Sequence, residues 1–390
     1  AEVPEVVNRV ATAKQLRVPV ELSKGQATRD LAQQQFEIET AKNYPESVGK
    51  PLIQAQAQRN ENILQNFDTF VDATGKESYG LRATGKIVDD ALVNATNKAK
   101  NEIRQAYDKA TKAGETAELV DVTPIQKFVG GLEAESINAP IIKTVDIKLN
   151  QLAQDGKLSI NDLEEVRKMV NRLSGDTKSN MEYGRQINQM IDSTTENVGG
   201  QLYKDARALR AKYAREFENV GVIDKLLSKK PGTTDRSVAL EDVFSHSILN
   251  GSLDDVRAIG RTLKKAGPEG EQAWKELQGQ TIEHIKDQVT RSIDRDVYGN
   301  PVVSPAKFER VIRELDQDGK LDYVFGKKGA QEIRDLLETT IAVNAPLKGA
   351  ANYSNTSSAI IRALDRIGGT PLGKLPGFGA VSEYATNQAV

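Results

Sequence analysis

Apolar residues recur at three- and four-residue intervals along most of this chain, and nowhere do they alternate over a run long enough for a useful β-strand. No other feature limits the fold as much. In "GKPLIQAQAQRNENILQNFDTFVDATG", Ile63, Leu64, Phe67, Phe70 and Val71 share one helical face, and Gly75 follows as a stop. The next segment places Val88, Leu92, Ala95, Ala99, Ile103 and Tyr107 on one stripe that closes at Gly114. Alanine on such a stripe lets helices approach closely, so the two segments read as an antiparallel pair. Thr28 is the expected N-cap of "TRDLAQQQFEIETAKN", and Thr123 is the expected N-cap of another helix, with Pro124 at its first position. Ser159 and Asp162 have capping-box spacing at the start of "SINDLEEVRKMVNRL", as do Ser252 and Asp255 further on. One longer helix is expected over 183–227, kinked at Gly199-Gly200, and another starts at Ser304-Pro305. The expectation is a mainly α protein: elongated multi-helix bundles with extended terminal arms and almost no sheet.

Composition narrows the function classes. Lys+Arg total 53 against 55 Asp+Glu, a net charge of -2, which does not suit a dedicated duplex-DNA binder with its basic face. Absence of cysteine excludes disulfides and thiolate metal sites. No apolar run approaches the roughly 20 residues of a membrane-spanning helix. The opening "AEVPEVV", without Met or a signal peptide, is expected of a processed product or an excerpt of a longer protein.

Punctuation predicts the domain organisation. Residues 1–27, broken by Pro19 and Gly25, read as an extended arm. A first helical bundle region is expected over 28–230, with "LSKKPGTTDRS" at 227–237 as the linker. A second helical region follows over 231–345. The tail 346–390 is Ser/Asn-rich, then Gly/Pro-rich, with room for one short helix.

Several stretches resemble sites of known chemistry. "LAQDGKL" at 152–158 and "LDQDGKL" at 315–321 share an Asp-Gly pair, the centre of a calcium loop whose ligands sit at positions 1, 3, 5, 7, 9 and 12. With Gly156 at position 6, Gln151 and Ala153 fall on ligand positions and only Asp155 and Asp162 supply carboxylates. In the second copy Asp316 and Asp318 fit, but Phe325 lands where the bidentate acid belongs. The alternative is a helix stop, with Gly156 and Gly319 left-handed and Leu158 and Leu321 returning to the core. "SIDRDVYGNPVVSP" groups Asp294, Asp296 and Asn300 around Gly299 with Glu309 too distant to complete a site, and reads as a polar turn. "GLRATGKI" has the Gly80, Gly85 and Lys86 spacing of a phosphate loop, but Ile87 replaces the hydroxyl that would hold Mg²⁺, so a helix-to-helix connection is expected.

"EAESINAP" has the Glu-Ser start of a lytic transglycosylase site, with Glu135 as the acid that would protonate a glycosidic oxygen. The glycine-rich segment that should follow is replaced by the amphipathic "IIKTVDIKLNQL". His246 and His284, the two histidines, fall on separate predicted helices, and Lys229-Lys230 and Lys327-Lys328 read as solvated loops. The residues therefore predict no catalytic, cofactor-binding or metal site and no cofactor.

Three stretches, "VPVELSKGQATRDLAQQQFE", "DRDVYGNPVVSPAKFERVIRELDQDGKLDYVFGKKGAQEIRDL" and "NYSNTSSAI", resemble segments of large helical proteins of tailed bacteriophages and prophages. Those are described as internal virion, DNA-transfer or ejection proteins. The resemblance implies a non-enzymatic virion protein, released with or guiding the phage genome as part of a DNA-ejection conduit through the host envelope. It implies as partners further copies of the chain in a homo-oligomer, other virion proteins near the portal or tail, phage DNA by non-specific contact, and the host envelope after release. A static head–tail or tail component is one alternative. A peptidoglycan-cleaving virion enzyme using Glu135 is the other.

Overall fold

Residues 4–346, apart from Asp176, Pro231 and Asp318, are described by the computed structural model, which is mainly helical with one two-stranded sheet among the described residues. The expected tail from 347 onwards lies outside them, "NYSNTSSAI" included, as does Asp318 of the second Asp-Gly phrase.

The chain divides into two compact units, Ala1–Val88 with Phe244–Val390, and Asp89–Val243. This corrects the boundary expected near 230. The helices α1 (Pro4–Lys14), α2 (Lys24–Thr28), α3 (Leu31–Asn43) and α4 (Lys50–Thr74) share their unit with four helices from the far end of the sequence. Those are α12 (Leu253–Lys265), α13 (Pro268–Thr290), α14 (Pro305–Asp316) and α15 (Lys320–Asn344), numbered after the intervening helices described below. The first break falls inside α5 (Gly80–Lys112), an uninterrupted helix with no loop signal to mark it. The expected linker is a closed turn instead. Lys229 and Arg236 form an antiparallel bridge, Lys230 N–H donates to Asp235 O at 2.8 Å, and the Arg236 guanidinium pairs with Asp89.

In the first unit α4 lays Ile63, Phe67 and Phe70 against Ile282 and Ile285 of α13 and Ile333 and Leu336 of α15. Phe308 of α14 meets Phe67 at 5.4 Å between ring centroids. Each such side chain, fully buried, contributes about 1.5–3 kcal/mol. The expected N-terminal arm is a second correction. Residues 4–14 are helical, and Ala13, Leu16 and Val20 enter the same core. Asn66 of α4 clamps the non-helical piece that follows: its Oδ1 accepts from Val18 N–H at 3.0 Å and its Nδ2 donates to Val18 O at 2.7 Å. Asn62 Nδ2 donates to Pro19 O. The segment is non-helical around Pro19 but turns back on α1, Val20 N–H donating to Ala13 O at 3.0 Å, and amides on α4 supply further partners for its backbone.

The second unit holds α6 (Thr123–Gly131), α7 (Pro140–Leu152), α8 (Ile160–Leu173), α9 (Lys178–Thr195), α10 (Gln201–Tyr213) and α11 (Gly221–Leu227). Strands β1 (Leu119–Asp121) and β2 (Lys157–Ser159) pair antiparallel, Val120 opposite Leu158. Ile125, Ile141, Val145, Leu149, Leu163, Val166 and Ile187 form its core. The long helix expected over 183–227 is three helices, because Gly199 takes a left-handed φ of 81° and a π turn over 214–218 separates α10 from α11.

Capping reads from sequence at three serines but not at Thr123, which is the first residue of α6; the cap position is Val122, with no side-chain hydrogen bond. Ser159, Ser252 and Ser304 accept from the N–H three residues on, and Ser252 with Asp255 forms the full reciprocal box. Thr28 does not cap α3; it closes α2, whose own box of Ser23 and Gln26 starts a helix earlier, and Asp30 becomes the cap.

The repeated phrase takes two different structures. At 155–156 the expected helix stop is a hairpin turn: Gln154 and Lys157 exchange both backbone hydrogen bonds at 3.0 Å, with Asp155 at φ 50° and Gly156 at φ 71°. At 319 the glycine is left-handed, φ 78°, between the end of α14 and the start of α15, as a stop requires. Lys320 then donates to Ile248 O and Leu249 O, the last carbonyls of a π turn over 245–249. Both leucines reach the core, Leu158 in one unit and Leu321 in the other. Gly156→Ala is expected to cost more than Gly319→Ala. At both, a β-carbon in the left-handed region costs about 1 kcal/mol. At Gly156 it would also sit 2.5 Å from Thr123 Oγ1, whereas at Gly319 the nearest atom is 3.9 Å away. Urea midpoints of the two variants measure the difference, and equal losses would refute the assignment.

Candidate functional site

Three buried polar networks collect the groups most capable of chemistry, and each forms where a polar residue interrupts an apolar helix face. The first is on α13, where Glu276 is fully buried. α4 ends at Gly75 in the left-handed region, and the loop after it lies directly on α13 because residue 279 is glycine. A β-carbon there would come within 2.5 Å of Lys76 Cβ. So placed, the loop presents its donors to one carboxylate. Glu77 N–H is 2.8 Å from Glu276 Oε1, Ser78 N–H is 3.2 Å from Oε2, and Gln272 Nε2 donates at 2.9 Å. The Ser78 hydroxyl also donates to Oε2 and lies 3.0 Å from the hydroxyl of buried Thr84. Burial pushes the Glu276 carboxyl up, but these donors outweigh it and hold the group below the usual glutamate range. Lys76 is nearly sealed from solvent, its Nζ 3.3 Å from Glu283 Oε1.

The second network joins α4, the loop 291–304 and the end of α15. Asn60 Nδ2 donates to Asp296 Oδ2 at 2.9 Å, while its Oδ1 accepts from Val303 N–H at 3.0 Å. Asn344 Nδ2 donates to Val303 O at 2.9 Å. Asp296 Oδ1 takes the N–H groups of Tyr298 and Asn300 at 2.9 and 3.0 Å. The Asp294–Asn300 stretch is thus a turn that its own aspartate closes. Burial keeps the Asp296 carboxyl above the usual aspartate range despite those donors.

The third network lies in the second unit. Arg167 of α8 bridges Glu164 Oε2 at 3.0 Å and Asp192 Oδ1 of α9 at 2.7 Å. Tyr203 of α10 donates its hydroxyl to Glu164 Oε1 at 2.7 Å, and Arg207 reaches Asp192 at 3.0 Å and the Thr195 hydroxyl. The ring of Tyr107 packs edge-on against Tyr203, centroids 5.9 Å apart. Burial, then the Glu164 charge, pushes Tyr203 up to about 12, and the same causes raise Tyr107.

The residues singled out from sequence stay apart. Glu135 is exposed on a single 3-10 turn, Glu133–Ile137, beside an exposed Ile137. A glycosidic general acid works from an apolar enclosure that raises its pKa, and this carboxylate is open to water. Gly80, Gly85 and Lys86 are in the first turns of α5, so the expected connection is helix. His246 is on the π turn and His284 on α13, where burial lowers its pKa and the Phe244 ring lies 6.0 Å away. Asp316 is held by Arg334 at 2.9 Å. Lys229 and Lys230 are exposed in their turn, and Lys327 and Lys328 are exposed where α15 resumes after a break at Gly326, whose φ of 72° is not helical. Among the described residues no group of three or more His, Asp or Glu is placed to hold a metal ion.

Sequence reasoning missed all three networks. A signal existed: Asn60 falls on the stripe that carries Ile53, Ile63, Phe67 and Phe70, where an amide needs a partner. No protein-family profile, curated protein or solved structure matches this chain.

Proposed function

We propose that this chain is a non-enzymatic virion protein of a tailed bacteriophage, acting in several copies as part of a conduit that carries the genome through the host envelope. One observation supports a surface-acting role: Glu276, Asp296 and Glu164, the buried acids among the described residues, are all engaged by the fold's own donors. Groups so occupied hold helices in place. The three quoted stretches that resemble ejection proteins supply the particular context. On this reading the partners are further copies of the chain, virion proteins near the portal or tail, the genome through non-specific contact, and the envelope after release.

Fractionating cells shortly after particle adsorption tests the proposal. The protein is expected in the envelope fraction once the genome has entered, and Glu135→Gln particles are expected to infect normally. Retention in emptied particles would make it a static component. A zymogram clearing zone that Glu135→Gln abolishes would make it a peptidoglycan-cleaving enzyme.

A further inference from the structure

Asn250 is followed by Gly251, and no other asparagine in the chain precedes a glycine. The pair forms the bend between the π turn over 245–249 and α12. The joint is anchored on both sides. Asn250 N–H donates to Ser245 O at 2.9 Å, and Ser252 N–H donates to Asp255 Oδ2 at 2.9 Å in the capping box. Space confines residue 251 to glycine, because a β-carbon there would lie 3.0 Å from Asp255 Cβ.

Between those anchors the groups that can react are uncommitted. Asn250 is exposed, and among the described residues no hydrogen bond engages its side-chain amide or the Gly251 N–H. Asn60 and Asn66, by contrast, are buried with both ends of the amide engaged. A carboxamide carbon is an electrophile, and the amide nitrogen of the next residue is placed to close a five-membered ring on it. A side chain on that next residue obstructs the approach, and glycine has none.

We propose that Asn250 is a self-modification site, converted through a succinimide to aspartate and isoaspartate. The Gly251 nitrogen gives its proton to hydroxide and bonds to Asn250 Cγ. The Cγ–Nδ2 bond breaks, and ammonia leaves with a proton taken from water. One water then opens the ring at either carbonyl, so the net reaction consumes one water and releases one ammonia. Ring closure needs the Gly251 nitrogen turned towards the β-carbon of Asn250, and at the observed ψ of -15° it is not. The bend must therefore open first, which makes the reaction slow and tied to the stability of the joint. Aspartate adds a negative charge close to the N-terminus of α12. Isoaspartate routes the main chain through the β-carbon, one atom longer, between the π turn and the Ser252 cap. Lys320 holds the same joint from α15 through Ile248 O and Leu249 O. The isoaspartyl form loosens that joint, and the change is irreversible.

The tryptic peptide 237–257 contains one side-chain amide, that of Asn250, so a mass gain in it assigns the change. In folded full-length chain aged in mildly alkaline buffer, this peptide is expected to convert several-fold faster than those carrying Asn60 or Asn66, with isoaspartate the larger product. Ser252→Ala, which frees the bend, is expected to speed that conversion several-fold, and Asn250→Gln to leave the peptide unchanged. Amides in the first turns of α12 are expected to exchange several-fold faster in aged than in fresh chain. No conversion in the folded chain would overturn the proposal, as would aspartate as the sole product, the mark of direct hydrolysis. An unchanged rate in Ser252→Ala would refute the control by the bend, and unchanged exchange would refute the loosening.

Discussion

Glu276→Ala is expected to lower the stability of the first unit by about 3 kcal/mol or more. The carboxylate accepts from two backbone N–H groups, a hydroxyl and an amide, all held inside the fold. Each buried donor left without a partner costs about 1–3 kcal/mol, and water entering the vacated space recovers only part of that. Glu276→Gln keeps the shape and one acceptor oxygen but turns an N–H₂ towards the Ser78 donors, so an intermediate loss is expected. The pH dependence has a definite sign. A carboxyl whose folded pKa is depressed stabilises above its unfolded value, about 4.3 for glutamate, and that stability is lost as pH falls through the folded value. Asp296, raised by burial, has the opposite sign: its favourable contribution exists at low pH and is lost as pH rises through its folded value. The native chain minus Glu276→Gln isolates the first effect, and their stabilities should converge on acidification. Trp274, the single tryptophan, lies on α13 two residues from Glu276 and reports on this unit in urea titrations. A loss below about 1 kcal/mol would mean that the loop after α4 is fixed by other contacts.

What sequence could and could not show follows from how local each determinant is. Caps at Ser159, Ser252 and Ser304 were legible because an N-cap and the N–H it accepts from lie three residues apart. The helical class was legible for the same reason, since period is a local property. The Asp-Gly phrases misled because one dipeptide serves both a hairpin turn and a helix stop. Which one forms depends on whether a strand waits to pair, as Leu119–Asp121 does for the first copy. The clamp of Asn66 on Val18 turned an apparent arm into core, and the boundary at 88–89 lies within a helix whose periodicity continues through it. The polar networks were least accessible. Asn60 with Asp296, Ser78 with Glu276 and Glu164 with Tyr203 are pairings of the tertiary fold, and the sequence shows only one member at a time.

Removing Arg167 from the second unit is expected to cost about 3–5 kcal/mol, because Glu164 is then buried facing only the Tyr203 hydroxyl. Arg167→Met preserves most of the apolar stem and isolates the charge. Glu164→Gln in the same chain removes the stranded anion while still accepting from Tyr203. The double variant should therefore recover a large part of the loss, a coupling of about 2 kcal/mol. Without such coupling, Arg167 would act through packing alone. Alkali examines the same network from its tyrosines. Burial and the Glu164 charge raise Tyr203 to about 12 from its ordinary value of 10.0, so the folded chain resists its deprotonation. The resulting stabilisation is complete below about pH 10 and is lost as pH rises through the folded value. Tyr203→Phe should flatten stability across that window without abolishing the slope, because Tyr107 is raised by the same causes. Circular dichroism in urea at stepped alkaline pH, with tyrosinate absorbance followed in parallel, measures both. The native chain and Tyr203→Phe showing identical slopes would place the titration elsewhere, and the hydroxyl would then be a packing group with no part in the electrostatics that join α8, α9 and α10.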